Sequence, residues 1–230
     1  MNILSTIIPS KTISNLGPCI EAVRRHESAA RIIVIDDGLE GPLETWQDWD
    51  GKLEIMPGIK PFSFARNVNL GIVAAGDDDV IVLNDDALLE TPGGFSVLQR
   101  AAQEHPDFGI ISSTTNITGN PAQRPAGIGL REEPRTVAFI CVLLPRRTIE
   151  SVGPMDEQFG GLTPAGRPIY GFCDNDYCRR VRNAGLKIGI HDGCFVDHGS
   201  LRSAFRGDPQ AAGDISEAAK LYRAKWGDLC

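Results

Sequence analysis

The chain has 230 residues, 42% hydrophobic and 23% charged, enough to bury one sizeable core and ordinary in composition for a globular protein. No run approaches the ~18–20 apolar residues that a bilayer-spanning helix needs, and a net charge of −7 gives no support to nonspecific nucleic-acid binding. Residues 1–115 carry 8 Lys/Arg against 17 Asp/Glu and residues 116–230 carry 15 against 13, so the first half suits a cation and the second an anionic substrate.

In chain order, Ile3–Ile8 reads as a first strand stopped by Pro9-Ser10. With no basic segment before it, it does not read as a signal peptide. The six scattered cysteines (19, 141, 173, 178, 194 and 230) are then expected to stay reduced, in a cytoplasmic compartment. Apolar residues at helical spacing from Asn15 to His26 predict a helix, with Ser14 as N-cap and Pro18 in the opening turn. Arg31–Ile35 is a second strand ending in Asp36-Asp37-Gly38, which makes a right-handed parallel βαβ unit. A weaker strand at Leu53–Met56 and a helix over Phe64–Ala75 follow.

The next strand is Val80–Leu83. Three of its four apolar residues are β-branched, and it stops abruptly in Asn84-Asp85-Asp86. In open α/β sheets ligands gather beyond the carboxyl ends of the strands, and carboxylates there suit a hard divalent cation that also binds phosphate. The plain alternative is an acidic surface turn. A helix around Phe95–Glu104 and a strand at Phe108–Ser112 complete an alternating first half. Its polar strand ends at Pro9-Ser10, Asp36-Asp37 and Asn84–Asp86 converge on one edge if the sheet is parallel. Neither a Gly-x-Gly-x-x-Gly turn nor a P-loop is present, which disfavours dinucleotide and P-loop readings.

Asn116–Pro134 is rich in Gly, Pro, Asn and Thr and reads as a crossing between halves. Thr136–Leu144 reads as a long strand, Arg146–Ser151 as a short helix, and Asp174–Ala184 as a helix ended by Gly185. Short strands at Lys187–Ile190 and Phe195–Val196 follow. Gly199–Gly213 is a candidate lid, and Asp214-Ile-Ser-Glu217 a capping box that opens a last helix to about Trp226. Cys173, Cys178, His191, Cys194 and His198 lack the Cys-x2-Cys knuckles of a structural zinc site.

Several segments occur in a telling order: Thr6-Ile-Ile-Pro-Ser10, Val34-Ile-Asp-Asp-Gly38, Phe64-Ala-Arg-Asn67, Leu83-Asn-Asp-Asp86 and Gly171-Phe-Cys-Asp-Asn-Asp-Tyr-Cys-Arg-Arg180. Asn183-Ala-Gly-Leu186 and Asp197-His198 follow. From about residue 3 to 200 the chain resembles a family 2 glycosyltransferase with the GT-A fold. That resemblance implies a Rossmann-like, mostly parallel central sheet flanked by helices, with a small acceptor-side subregion. All 230 residues would form one domain, 1–115 binding the nucleotide sugar and 116–230 the acceptor.

It further implies an enzyme that moves a sugar from a nucleoside-diphosphate sugar to an acceptor hydroxyl with inversion at the anomeric carbon. Pro9 and Ser10 would line the base pocket, and Asp37 would bond the base or its ribose, unless it merely closes an Asx turn. Arg66 and Asn67 would sit near the ribose and diphosphate at a helix start, unless Arg66 only forms a surface ion pair.

The family's Asp-x-Asp motif falls on Asn84-Asp85-Asp86, with Asn in place of the first acid. Asp86 is then the metal ligand for Mn2+ or Mg2+, Asp85 faces the donor sugar, and His198 completes the metal site or touches the diphosphate. Asp174 would be the general base, Cys173 replaces the family's Glu, and Asp174 and Asp176 are otherwise helix N-terminal acids. Arg202 and Arg206 would clamp phosphates. Two other readings stay open: a nucleotide-sugar-binding protein that has lost catalysis, motivated by Asn84 and Cys173, and a nucleotidyltransferase, whose Gly-rich first loop is absent. The donor base and sugar, the oligomeric state and the acceptor (saccharide, small molecule, protein or modified DNA base) are not legible.

Overall fold

The computed structural model describes residues 3–40, 51–60, 62–163, 165–166, 169–201 and 211–227. Strand β1 (Leu4–Ser10) shows how the core is organised. Successive side chains on a strand point to opposite faces, so Ile7 packs into one apolar layer and Ile8 into the other. The same alternation holds on β4 (Asp79–Leu83), where Val80 and Val82 face one layer and Ile81 and Leu83 the opposite one. A strand buried on both faces needs helices on both sides. α1 (Ile13–His26) and α3 (Gly94–Glu104) cover one face; α2 (Phe64–Ala75), α5 (Cys173–Asn183) and α6 (Ala211–Trp226) cover the other.

The remaining strands are β2 (Arg31–Asp36), β3 (Leu53–Pro57), β5 (Leu88–Leu89), β6 (Phe108–Thr115), β7 (Leu130–Glu132), β8 (Cys141–Leu144) and β9 (Lys187–Asp197). The sheet order is β3-β2-β1-β4-β8-β6-β9-β5, with β7 also on β9. β1 to β4 are mutually parallel, β8 runs antiparallel between β4 and β6, and β9 is parallel to β6. The carboxyl ends of β1, β2, β3, β4, β6 and β9 therefore all meet one edge. The chain steps outward from β1 to β2 and β3, then returns to place β4 on the other side of β1. That reversal is the switch point at which open α/β sheets bind ligands.

Several acids hold this frame together instead of serving a ligand. Asp79 accepts from the backbone N–H of Arg146 at 2.8 Å, opening α4 (Arg146–Val152), and from Gln99 Nε2 at 2.9 Å. Glu27 accepts from the N–H and hydroxyl of Ser96 in the first turn of α3. α2 is capped by Ser63, whose hydroxyl accepts from the N–H of Arg66. It lies so close to β1 that a Cβ at Gly71 would overlap the Ile7 side chain.

Four local expectations are corrected. α1 starts at Ile13 after an extended Thr12 with no side-chain cap, so Ser14 lies inside the helix and Pro18 in its second turn. There Pro18 forgoes one ladder hydrogen bond. Of the apolar run 136–144 only Cys141–Leu144 joins the sheet, because Ile140 N–H turns back to the Ala138 carbonyl at 2.8 Å. The two short strands after Lys187 are one strand, carried through His191-Asp192-Gly193 by a register shift against β6. α6 begins at Ala211, so Asp214 lies within it and does not open it. Arg202 and Arg206, and most of the candidate lid, lie outside the described residues. No helix among the described residues is long and apolar enough to cross a membrane.

Candidate active site

A cleft of about 660 Å³ opens at the carboxyl edge of the sheet. Pro9 at the end of β1 and Asn84, Asp85 and Asp86 after β4 form one side; Cys173, Asp174 and Asn175 in the first turn of α5 form another, and His198 after β9 joins them. These residues span nearly 190 positions of the chain. They meet because β1, β4 and β9 end on this edge and α5 begins there.

Asp85 is held by Ser10, whose hydroxyl donates to its Oδ2 at 2.7 Å. Burial pushes the Asp85 carboxyl up to about 6, with a smaller push from the neighbouring Asp86, against hydrogen bonds from Ser10, Asn15 and the Lys11 backbone. Asp86 is 4% exposed. Its Oδ1 lies 3.1 Å from His198 Nε2, and His198 Nδ1 lies 2.8 Å from the Ile117 carbonyl. A carbonyl can only accept, so Nδ1 carries the ring proton. Nε2 and a carboxylate oxygen are left facing each other, an arrangement that a shared proton or a cation completes. Asn116 fixes the His198 backbone from behind, its Oδ1 accepting from the His198 N–H at 2.9 Å.

Asp174 is the second residue of α5. Its Oδ1 accepts from the Asn175 N–H at 2.9 Å. Burial pushes its carboxyl up, opposed by backbone hydrogen bonds from Asn175, Asp174 itself and Phe139. Asp176, two residues on, is a different kind of acid. It is fully buried and accepts from Arg180 Nε at 2.9 Å, Lys225 Nζ at 2.7 Å and Trp226 Nε1 at 2.9 Å. Its role is to join α5 to α6. Cys173 is buried, and burial pushes its thiol well above the ordinary range, so it stays protonated and offers no charge in place of an acid.

The turn into α5 is unusual. Phe172 is the one non-glycine residue with positive φ among the described residues, at φ 63° and ψ −2°, and it follows Gly171 at φ 96°. A bulky side chain held left-handed costs about 1–3 kcal/mol.

Four residues expected near the donor stand outside the cleft wall. Ser10 reaches the cleft only through Asp85. Asp37 is almost fully buried and accepts from Lys60 Nζ at 3.2 Å; burial pushes its carboxyl up. The Asx turn here is made by its neighbour Asp36, whose Oδ1 accepts from the N–H groups of Gly38 and Leu39, each at 2.7 Å. Arg66 points to Glu157, 3.7 Å away. Asn67 is fully buried, with Oδ1 accepting from the Ile59 N–H at 3.1 Å.

Five aromatic residues in the wall went unnoticed in the sequence as site residues: Phe62, Phe64, Phe139, Tyr170 and Phe172. Phe62, Tyr170 and Phe172 fall in loops or beside turns, which was the available signal; Phe64 opens a helix and Phe139 belongs to an apolar run, and neither had one.

The parallel β1–β4 unit, the antiparallel β8 and the acidic end of β4 at the switch point define a GT-A glycosyltransferase fold. The crystal structure of GalNAc-T7 with UDP, GalNAc and Mn2+ shares it at a TM-score of 0.73 and 12% sequence identity, over 96% of this chain and 48% of that one. The present chain thus spans about half the length of that protein. The chain matches the family described as Glycosyl transferase family 2 over residues 5–149, and it belongs to that family. No curated protein matches it. Asp85 and Asp86 fall inside the matched residues; Asp174 and His198 fall beyond them.

Proposed function

We propose that the chain is an inverting glycosyltransferase that moves a sugar from a nucleoside-diphosphate sugar to an acceptor hydroxyl. The observation that carries this is the convergence of Asp86 and Asp174 on one cleft, one acid from each half of the chain. Family membership, and the UDP and Mn2+ bound by the neighbour of like fold, support a nucleotide-sugar donor.

In this reading the diphosphate lies along the ends of β1 and β4, with Asp85 toward the donor sugar. An acceptor oxygen attacks the anomeric carbon as the bond to the diphosphate oxygen breaks. Asp174 takes the acceptor proton, and the nucleoside diphosphate departs. A general base must reach within about 2.6–3.2 Å of that proton, and an acid whose ionised form is disfavoured by burial is the stronger base for it.

Asp86 Oδ1 and His198 Nε2 are a hard oxygen and an imidazole nitrogen side by side, with the far ring nitrogen already held by a carbonyl. That fits Mn2+ or Mg2+. Among the described residues no three His, Cys, Asp or Glu side chains gather to hold a metal, so phosphate oxygens and water would complete the shell. A bound cation would neutralise charge on the leaving diphosphate.

Thermal unfolding with UDP, dTDP and GDP, and with their sugars, with and without Mn2+, tests the proposal. At least one should raise the melting temperature more when Mn2+ is present, and that nucleotide sugar should then release its nucleoside diphosphate. Stabilisation without turnover would favour a binding protein that has lost catalysis.

A further inference from the structure

The αL turn at Phe172 forms part of the cleft wall, and α6 grips it from two sides. The Phe172 ring packs on Tyr222 with centroids 5.3 Å apart, and Tyr222, fully buried, also meets Phe159 at 6.3 Å. One turn into α5, Lys225 and Trp226 from the same helix hold Asp176. Arg180 ties that carboxylate to the carbonyls of Val152 and Pro154 as well. The first ladder hydrogen bond of α5, from the Asp176 N–H to the Phe172 carbonyl at 2.9 Å, joins the two grips. Asp174 lies between them in the chain and faces the cleft.

We infer that α6 is a clamp that sets the position of Asp174, with Tyr222 as the positioning residue that holds Phe172 in its left-handed conformation. A phenylalanine released from this ring contact favours the right-handed or extended regions. Either change rotates the backbone that aims the first turn of α5, and Asp174 is two residues away. Tyr222 does not line the cleft, so its effect on chemistry passes through Phe172. The inference rests on Asp174 acting as the base proposed above.

The test compares Tyr222→Ala, Tyr222→Leu, Tyr222→Phe, Phe172→Gly and Asp174→Asn with the parent chain. The readouts are Mn2+-supported hydrolysis of the nucleotide sugar selected by thermal shift, and affinity for its nucleoside diphosphate by calorimetry. Tyr222→Ala should lower kcat about ten- to a hundredfold, the scale of a misplacement near 1 Å, while nucleotide affinity stays within about twofold because the diphosphate is held from β1 and β4. Tyr222→Phe keeps the ring and should keep the parent kcat. Phe172→Gly accepts the same φ without strain but loses the ring, and should show the same loss of kcat. Since Phe172 itself lines the cleft, Tyr222→Leu, which removes the ring contact and keeps apolar bulk, decides the matter if Tyr222→Ala does not fold.

A folded Tyr222→Ala, Tyr222→Leu or Phe172→Gly at parental kcat overturns the clamp. So does a loss of nucleotide affinity in step with kcat, which marks general damage. Full turnover by Asp174→Asn would sink the base assignment instead, whereas an inactive Asp174→Asn beside a fully active Tyr222→Ala would sink the clamp alone.

Discussion

The two acidic sides of the cleft are built in opposite ways. Asp85 and Asp86 end a strand of four fully buried apolar residues that is laddered on both sides, by β1 and β8. Their placement follows from regular structure. Asp174 sits on a helical turn entered through a strained aromatic residue and supported by a helix some 40 positions later in the chain. A base must reach a single proton, and such a place needs support from several directions. The β4 side of the cleft therefore rests on regular strand pairing, while the α5 side depends on a strained turn and on packing against α6.

Breaking the distant support should have the largest effect on stability. Asp176→Asn leaves Lys225 and Arg180 with a weakened partner and should cost about 3 kcal/mol in chemical denaturation, whereas Glu54→Ala, which removes the exposed ion pair with Arg31 at 2.8 Å, should cost less than about 1 kcal/mol. On the other side, Asp86→Ala should leave the melting temperature nearly unchanged. It should abolish the extra stabilisation that Mn2+ gives a bound nucleoside diphosphate, read in the same thermal-shift assay.

His198→Ala should act in the same direction and less severely, raising the Mn2+ needed for half-maximal effect about tenfold or more. Gly71→Ala, which forces a methyl against Ile7, should cost about 1–3 kcal/mol by overpacking without altering the Mn2+ requirement.

pH acts on both sides in the same direction, because burial raises the Asp85 carboxyl to about 6 and the Asp174 carboxyl as well. The Asp174 carboxyl is raised by burial, so its basic form is lost on acidification at a higher pH than for an ordinary aspartate near about 3.9. The acid limb of kcat should lie above that value. The sign for stability is opposite to that of a paired carboxylate. A raised folded-state value contributes stability below the unfolded pKa, and this is lost as pH rises through the folded pKa. Asp174→Asn should therefore unfold at the same temperature as the parent at neutral pH, or higher.

The same contrast explains what was legible in the sequence. Val80–Leu83 followed by Asn84-Asp85-Asp86 announces a buried strand with an acidic end, because strand burial and its abrupt stop are local properties. The edge on which such ends gather was legible too, because the βαβ units have a fixed hand. Which acid of the Asp36-Asp37 pair closes the turn was not. Asp36 and Asp37 differ only in the direction of alternate side chains and in the reach of Lys60 from 23 residues away.

Asn67 begins a helix as expected, yet the approach of Ile59 buries it. Phe139 belongs to an apolar run that reads as strand, and the turn from Ala138 to Ile140 puts it in the cleft. The insertion of β8 between β4 and β6, and the left-handed Phe172, answer to packing across the molecule and have no local signature.

In the proposed reaction the cleft binds the donor through one acid-bearing edge, and Asp174 takes the acceptor proton. The most direct test is turnover of the selected nucleotide sugar by Asp174→Asn, with nucleoside-diphosphate affinity measured on the same preparation. Affinity should be unchanged and kcat should fall about 10²–10⁴-fold, the scale of general-base catalysis. Parental turnover by a folded Asp174→Asn would contradict that role.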